Sequence, residues 1–261
     1  MDEEIKYNVQ FDRSEDGRIM WLRFSSDSKL NIFTMGMIRE IHSRITELAL
    51  AKDKWPRVLV ISGKPDMFSG GADMKPIREN DEDHYQSYVK LEYEAFRTIE
   101  RLPFVIMASI GGYCLGNAAE MALACDLRIS TASSKISFAE STIGFMAPAQ
   151  RLSKYVGIGR AKEILYSGRF IDTKEAESLG LITRVVPDEA LETATQAFAE
   201  EYADMAPIAL RLTKENIDAA YGLGAHRSLE IDGAFESYKT EDRIEGLNAL
   251  FERRNPKFKG R

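Results

Sequence analysis

Apolar positions along the chain alternate between two spacings. RIMWLRF (18–24) is rich in β-formers, and RVLVISG (57–63) is an apolar run closed by glycine, as a strand covered on both faces would be. FVIMASI (104–110) and CDLRIST (125–131) repeat that pattern. Between them the spacing turns helical. TMGMIREIHSRITELALA (34–51) lines up Met37, Ile38, Ile41, Ile45 and Leu48 on one face, and DEDHYQSYVKLEYEAFRTIERL (81–102) starts acidic and stops at Pro103. Strands and helices in alternation predict an α/β core with crossover connections. Beyond about residue 157 the strand signal fades, apart from a short LITRVV (181–186), and successive helices are expected. Gly168, Gly180 and Gly222 stand at helix ends, and Pro187 and Pro207 at helix starts. The expected partition is a core over 1–200 and a helical C-terminal lobe over 201–261.

Composition narrows the function classes. The 261 residues carry 35 Lys+Arg against 41 Asp+Glu, a net charge of −6, which disfavours a general nucleic-acid binder or a polybasic membrane adaptor. The longest apolar run is too short to span a bilayer, and the acidic start lacks a secretory pattern. Cys114 and Cys125 show no CxxC spacing and read as small core fillers; with three histidines and no HExxH, no metal site is expected. His42 and His84 read as surface residues. GIGRAK (157–162) lacks both the third glycine and the preceding strand of a dinucleotide loop. These features predict a cytoplasmic protein with neither nucleic-acid nor membrane partners.

Two turns can carry chemistry. MFSGGADMK (67–75) follows a strand and enters a helix through Ser69, Gly70, Gly71 and Ala72, small residues that let backbone N–H groups approach an oxygen anion. An ordinary glycine-rich turn has the same composition. GGYCLGNAAEMALACDLRIS (111–130) enters a helix at Asn117, whose N–H has no intrahelical acceptor, with Glu120 three residues on and on the same face. Glu120 could equally complement the helix dipole from the surface. Glu140 sits in SKISFAESTIG (134–144) among Ile136, Phe138 and Ile143; alone it reads as a solvated turn residue. Two acids in apolar surroundings beside two donor loops form a more specific set, able to hold a water and an enolate.

Those residues resemble the crotonase, or enoyl-CoA hydratase/isomerase, family over essentially the whole chain. FSGGADMK is similar to its first oxyanion and CoA loop, PFVIMASIGGYCLGNAAEMALACDLRIS to its second, and TEDRIEGLNALFERRNPKFKG to its usual ending. The resemblance implies a spiral ββα core with a helical C-terminal lobe. It also implies a hydro-lyase that adds water across the double bond of an α,β-unsaturated acyl-CoA. The N–H groups of Ala72 and Asn117 would hold the thioester oxygen. Glu120 would hold the water and Glu140 would move the Cα proton. Lys29, Gly70, Ala72, Asp73 and Lys75 would meet the CoA, as would Phe258 and Lys259 in the basic tail. No cofactor is implied beyond CoA as part of the substrate, and a homotrimer or dimer of trimers is expected. Two departures stand out: Asn117 replaces a glycine, and the segment from Gly144 to Arg151, FMAPAQ, is about three residues shorter than usual and lacks its two glycines. Rival expectations are a double-bond isomerase or other enolate chemistry on an acyl thioester, and a catalytically silent CoA-thioester-binding or scaffold paralogue.

Overall fold

The apolar runs become the middle of a six-stranded sheet in the computed structural model, which describes residues 5–79, 82–221, 235 and 238–257. Its strands are β1 (Tyr7–Arg13), β2 (Ile19–Ser26), β3 (Val58–Ser62), β4 (Val105–Ile110), β6 (Leu127–Thr131) and β9 (Arg184–Val186). They lie in the order β1-β2-β3-β4-β6-β9, and only the β1–β2 pair is antiparallel. All five residues of β3 are buried because both faces are covered. Leu59, Ile61, Ile106 and Ala108 point to the larger core beneath α1 (Met35–Leu50) and α3 (Glu82–Glu100). Val58, Val60 and Met107 point the other way, onto Phe198, Ala199 and Ala203 of α7 (Leu191–Ala203). Helix α7 runs across residue 200.

Helix α1 buries the predicted stripe of Met37, Ile38, Ile41, Ile45 and Leu48, and the Thr34 hydroxyl caps it by accepting from the Met37 N–H at 3.1 Å. A second sheet, β5 (Tyr113–Leu115), β7 (Lys135–Ser137) and β8 (Ile171–Asp172), sits beside the first. It zips the chemistry-bearing loops together. The Ser69 N–H donates to Tyr113 C=O and the Leu115 N–H to Ser69 C=O, both at 3.0 Å, while the Gly116 N–H reaches Ser137 C=O at 2.8 Å.

The pattern reading misses β1, β5, β7 and β8. Strand β1 is an edge strand with mostly exposed side chains, and the others are two or three residues long, too short for a period to register. Strands therefore do recur beyond residue 157. GIGRAK lies inside helix α5 (Ala149–Ser167), which kinks at Gly157. His42 and His84 are half-buried rather than surface-exposed. Both cysteines are buried, and burial raises both thiol pKa values. Gly168 takes the left-handed conformation at the end of α5, whereas Gly222 lies outside the described residues.

The helices after β9 pack around the core. Helix α8 (Pro207–Ala220) follows α7, and α9 (Glu241–Glu252), capped by the Thr240 hydroxyl, packs on a 3-10 turn at Glu140–Ile143. The approach is close: a Cβ on Gly246 would stand 2.2 Å from the Ile143 carbonyl oxygen. No described helix is long and apolar enough to cross a membrane.

Candidate active site

Glycine geometry brings the two donor loops together. Gly71 has φ +91°, and a Cβ there would meet Leu115 C=O at 2.8 Å and the Asn117 nitrogen at 3.6 Å. On the flanks of Ala72, the Phe33 N–H donates to Gly71 C=O and the Asp73 N–H to Phe33 C=O. This parallel bridge leaves the Ala72 N–H pointing away from Phe33. Helix α4 (Asn117–Leu123) starts directly after Gly116, which takes φ 55°, ψ −127°. The positive φ thus falls on Gly116 and Asn117 enters as an ordinary helical residue, so asparagine at the usual glycine position costs the backbone nothing. Among the described residues no acceptor reaches the N–H of Ala72 or of Asn117. Both residues line one cavity of about 100 Å³, with Glu120 and Glu140.

The two acids have opposite surroundings. Glu120, on the first turn of α4, forms an ion pair with Arg151 from the start of α5. Glu100, at the end of α3, holds the far side of the same guanidinium through two hydrogen bonds of 2.8 and 2.9 Å. The Arg151 side chain is 6% exposed. Neither carboxyl oxygen of Glu140 has a hydrogen-bond partner among the described residues, and both are buried. Desolvation pushes its pKa from 4.5 up to about 7. The Glu140 carboxyl lies against the start of α4, since a Cβ on Gly116 would sit 3.1 Å from its Oε1. The expectation of a solvated turn residue does not hold here, because the carboxyl is buried in the cavity wall against α4.

The shortened segment lines the same cavity through Phe145, Met146 and Pro148. Helix α3 closes it with Tyr85, Tyr88, Val89, Glu92 and Tyr93. Glu92 and Tyr88 were not singled out from the sequence. The signal was present, since the apolar stripe Tyr85–Tyr88–Ala95–Phe96–Ile99 contains one acid, Glu92, at helical spacing. The Tyr88 hydroxyl and Glu92 Oε1 are buried without a close hydrogen bond among the described residues, the Asn117 side chain being their polar neighbour. Such an atom costs on the order of 1–3 kcal/mol. Desolvation first, then the charges of Glu120 and Glu140, raise the Glu92 pKa well above the usual carboxylate range, against an opposing pull from Asn117 and Arg151.

Of the expected CoA-contacting residues that are described, only Ala72 lines this cavity. Gly70 donates its N–H to Leu30 C=O at 2.7 Å, which joins the exposed Lys29 loop to the first donor loop. Asp73 caps α2 (Met74–Arg78), its carboxylate accepting from the Lys75 N–H at 3.1 Å, and Lys75 is exposed. Phe258 and Lys259 lie outside the described residues. A larger cavity of about 480 Å³ between α8 and the core is lined mainly by apolar groups. Lys214 and Arg151, which line it, are ion-paired with Asp126 and Glu100. No cluster of potential metal ligands occurs among the described residues.

Known proteins resemble the chain over most of its length. The enoyl-CoA hydratase/isomerase family profile matches residues 14–261. Human mitochondrial methylglutaconyl-CoA hydratase is 30% identical, aligned over 100% of this chain and 79% of its own. Enoyl-CoA isomerase/hydratase fer4 of Mycosarcoma maydis is 34% identical over 79% of this chain and 77% of its own. A crystal structure of an enoyl-CoA hydratase from Bacillus anthracis superposes with a TM-score of 0.77 at 31% identity, covering 97% of this chain and all of that one. The chain belongs to the enoyl-CoA hydratase/isomerase, or crotonase, family and has its fold.

Proposed function

We infer that the protein is a hydro-lyase acting on an α,β-unsaturated acyl-CoA thioester. The thioester carbonyl oxygen accepts from the Ala72 and Asn117 N–H groups, which hold the negative charge that develops there. Glu120, the ionic partner of Arg151, takes a proton from a water molecule. The water oxygen bonds to Cβ, the C=C π electrons move to give the enolate, and protonated Glu140 delivers a proton to Cα. Glu140 has then lost a proton to Cα and Glu120 has gained one from water, and exchange with solvent restores both. The reverse path removes water.

The observation that carries this reading is a pair of acids in one cavity under unlike control, one ion-paired and one uncompensated, beside two unpaired backbone donors. A pKa of about 7 for Glu140 suits a group that gives and takes a proton near neutrality. Incubation with crotonyl-CoA and longer 2-enoyl-CoAs tests it: conjugated absorbance falls and a 3-hydroxyacyl-CoA accumulates. Loss of neither substrate nor conjugation across the panel contradicts it.

One observation favours a second reading, a double-bond isomerase. Arg151 occupies Glu120, which would leave Glu140 to carry a proton between two carbons of the same substrate. Conversion of a 3-enoyl-CoA to its conjugated isomer, without hydration of any 2-enoyl-CoA, supports that reading over the first.

A further inference from the structure

Helix α3 supplies neither backbone donor nor either acid used above, yet it turns two polar groups into the same cavity. Tyr88 is 3% exposed and Glu92 7%, and they stand four residues apart on one helix face. The Tyr88 hydroxyl and Glu92 Oε1 make no close hydrogen bond among the described residues. The Asn117 side chain is the polar neighbour of both, and Ile77, Val89, Ile143 and Phe145 in the same cavity wall are apolar. Phe and Met in their places would fill a similar volume without leaving a buried polar atom unmet, so packing does not account for the pair.

Burial favours the protonated form of both the Tyr88 hydroxyl and the Glu92 carboxyl, against an opposing pull from the Asn117 side chain. Both therefore present O–H donors. Glu120 and Glu140 face the same space. A second anion brought in by a ligand would be repelled there, whereas a neutral oxygen can accept from both hydroxyl groups.

We propose that Tyr88 and Glu92 form a polar subsite that hydrogen-bonds an uncharged oxygen, a hydroxyl or a ketone, carried by the acyl group of the substrate. The proposal rests on the reading of this cavity as an acyl-thioester site. A plain hydrocarbon acyl group would offer neither hydroxyl an acceptor, and site groups left without a ligand partner are what let a protein reject an analogue lacking one oxygen. The subsite selects the substrate; the chemistry stays with Glu120, Glu140 and the two N–H groups.

Calorimetry with saturated acyl-CoAs tests this without any turnover. The probes are a set of acyl-CoAs of equal chain length, bearing a methyl, hydroxymethyl, methyl ketone or carboxylate end. The wild-type protein is expected to bind the hydroxylated or the keto compound about tenfold or more tightly than the plain one. Tyr88→Phe and Glu92→Met each remove most of that preference, leave binding of the plain compound unchanged or tighter, and raise Tm. Equal binding of plain and oxygenated compounds by the wild type overturns the subsite, as does tighter binding of the carboxylate, or an equal loss for all compounds in the variants. If Glu92→Met does not fold, the wild type and Tyr88→Phe decide the question. Failure of every acyl-CoA to bind overturns the acyl-thioester reading itself, whereas indiscriminate binding overturns the subsite alone.

Discussion

Glu120 and Glu140 reach one cavity from neighbouring elements and are treated in opposite ways. On the α4 side, Arg151 stands between Glu120 and Glu100, so the carboxylate is met by a cation that is itself held on its far side. On the 3-10 turn, Glu140 has no cation beside it, and desolvation moves it upward against only its own backbone N–H. The same residue type is thus given two unlike settings by what lies behind it. Behind Glu120 is a charged relay from α3 and α5, and behind Glu140 is a glycine-lined helix contact from α9. This asymmetry is what acid–base chemistry at a single carbon–carbon bond needs.

The strongest way to break the comparison is to remove the titrating acid. Glu140→Gln is expected to slow hydration about 10²–10⁴-fold while acyl-CoA binding, followed by calorimetry, changes little. Near wild-type turnover would show that Glu140 moves no proton. Removing the cation acts next, and on the fold. Arg151→Met leaves Glu120 and Glu100 without their partner and should cost about 3–5 kcal/mol in urea unfolding. Adding Glu120→Gln should return part of that loss, whereas additive effects would mean the pair is not coupled.

A pH series sharpens the comparison at the level of stability. Below pH 4.5 Glu140 is protonated in both folded and unfolded chains. Between 4.5 and about 7 only the folded chain keeps the proton, so this residue's contribution falls as pH rises through that window. Above it the full penalty stands, on the order of 3 kcal/mol. Glu140→Gln should therefore be more stable than wild type at pH 8 and no more stable at pH 4.5, read by thermal or urea unfolding. A gain of equal size at both pH values would contradict the buried-acid account. The smallest effect concerns the support behind the turn. Gly246→Ala would set a methyl against the Ile143 carbonyl and should cost about 1–3 kcal/mol, with a larger fall in kcat than in acyl-CoA affinity.

Much of this architecture was legible from side-chain type. β3 and β4 announce themselves as apolar runs because both faces are buried, and α1 because its five buried residues keep helical spacing. Asn117, Ala72, Glu120 and Glu140 stand out in the sequence because small residues and acids in apolar stretches are conspicuous, and they line one cavity. Arg151 was passed over, since an arginine in a helical pattern reads as surface and only the fold brings it between Glu100 and Glu120. Glu92 was hidden differently: charged neighbours at Lys90 and Glu94 mask an acid lying in the buried stripe of α3. Strands of two or three residues, such as β5 and β7, carry no readable period, yet they align the donor loops.

The unlike state of the two acids can be read directly by carbon-13 NMR of the glutamate side-chain carboxyls across a pH titration, with Glu140→Gln used for assignment. The account predicts a resonance with a midpoint of about 7 that vanishes in that variant. A Glu140 resonance titrating with the ordinary carboxylates near 4.5 would contradict it.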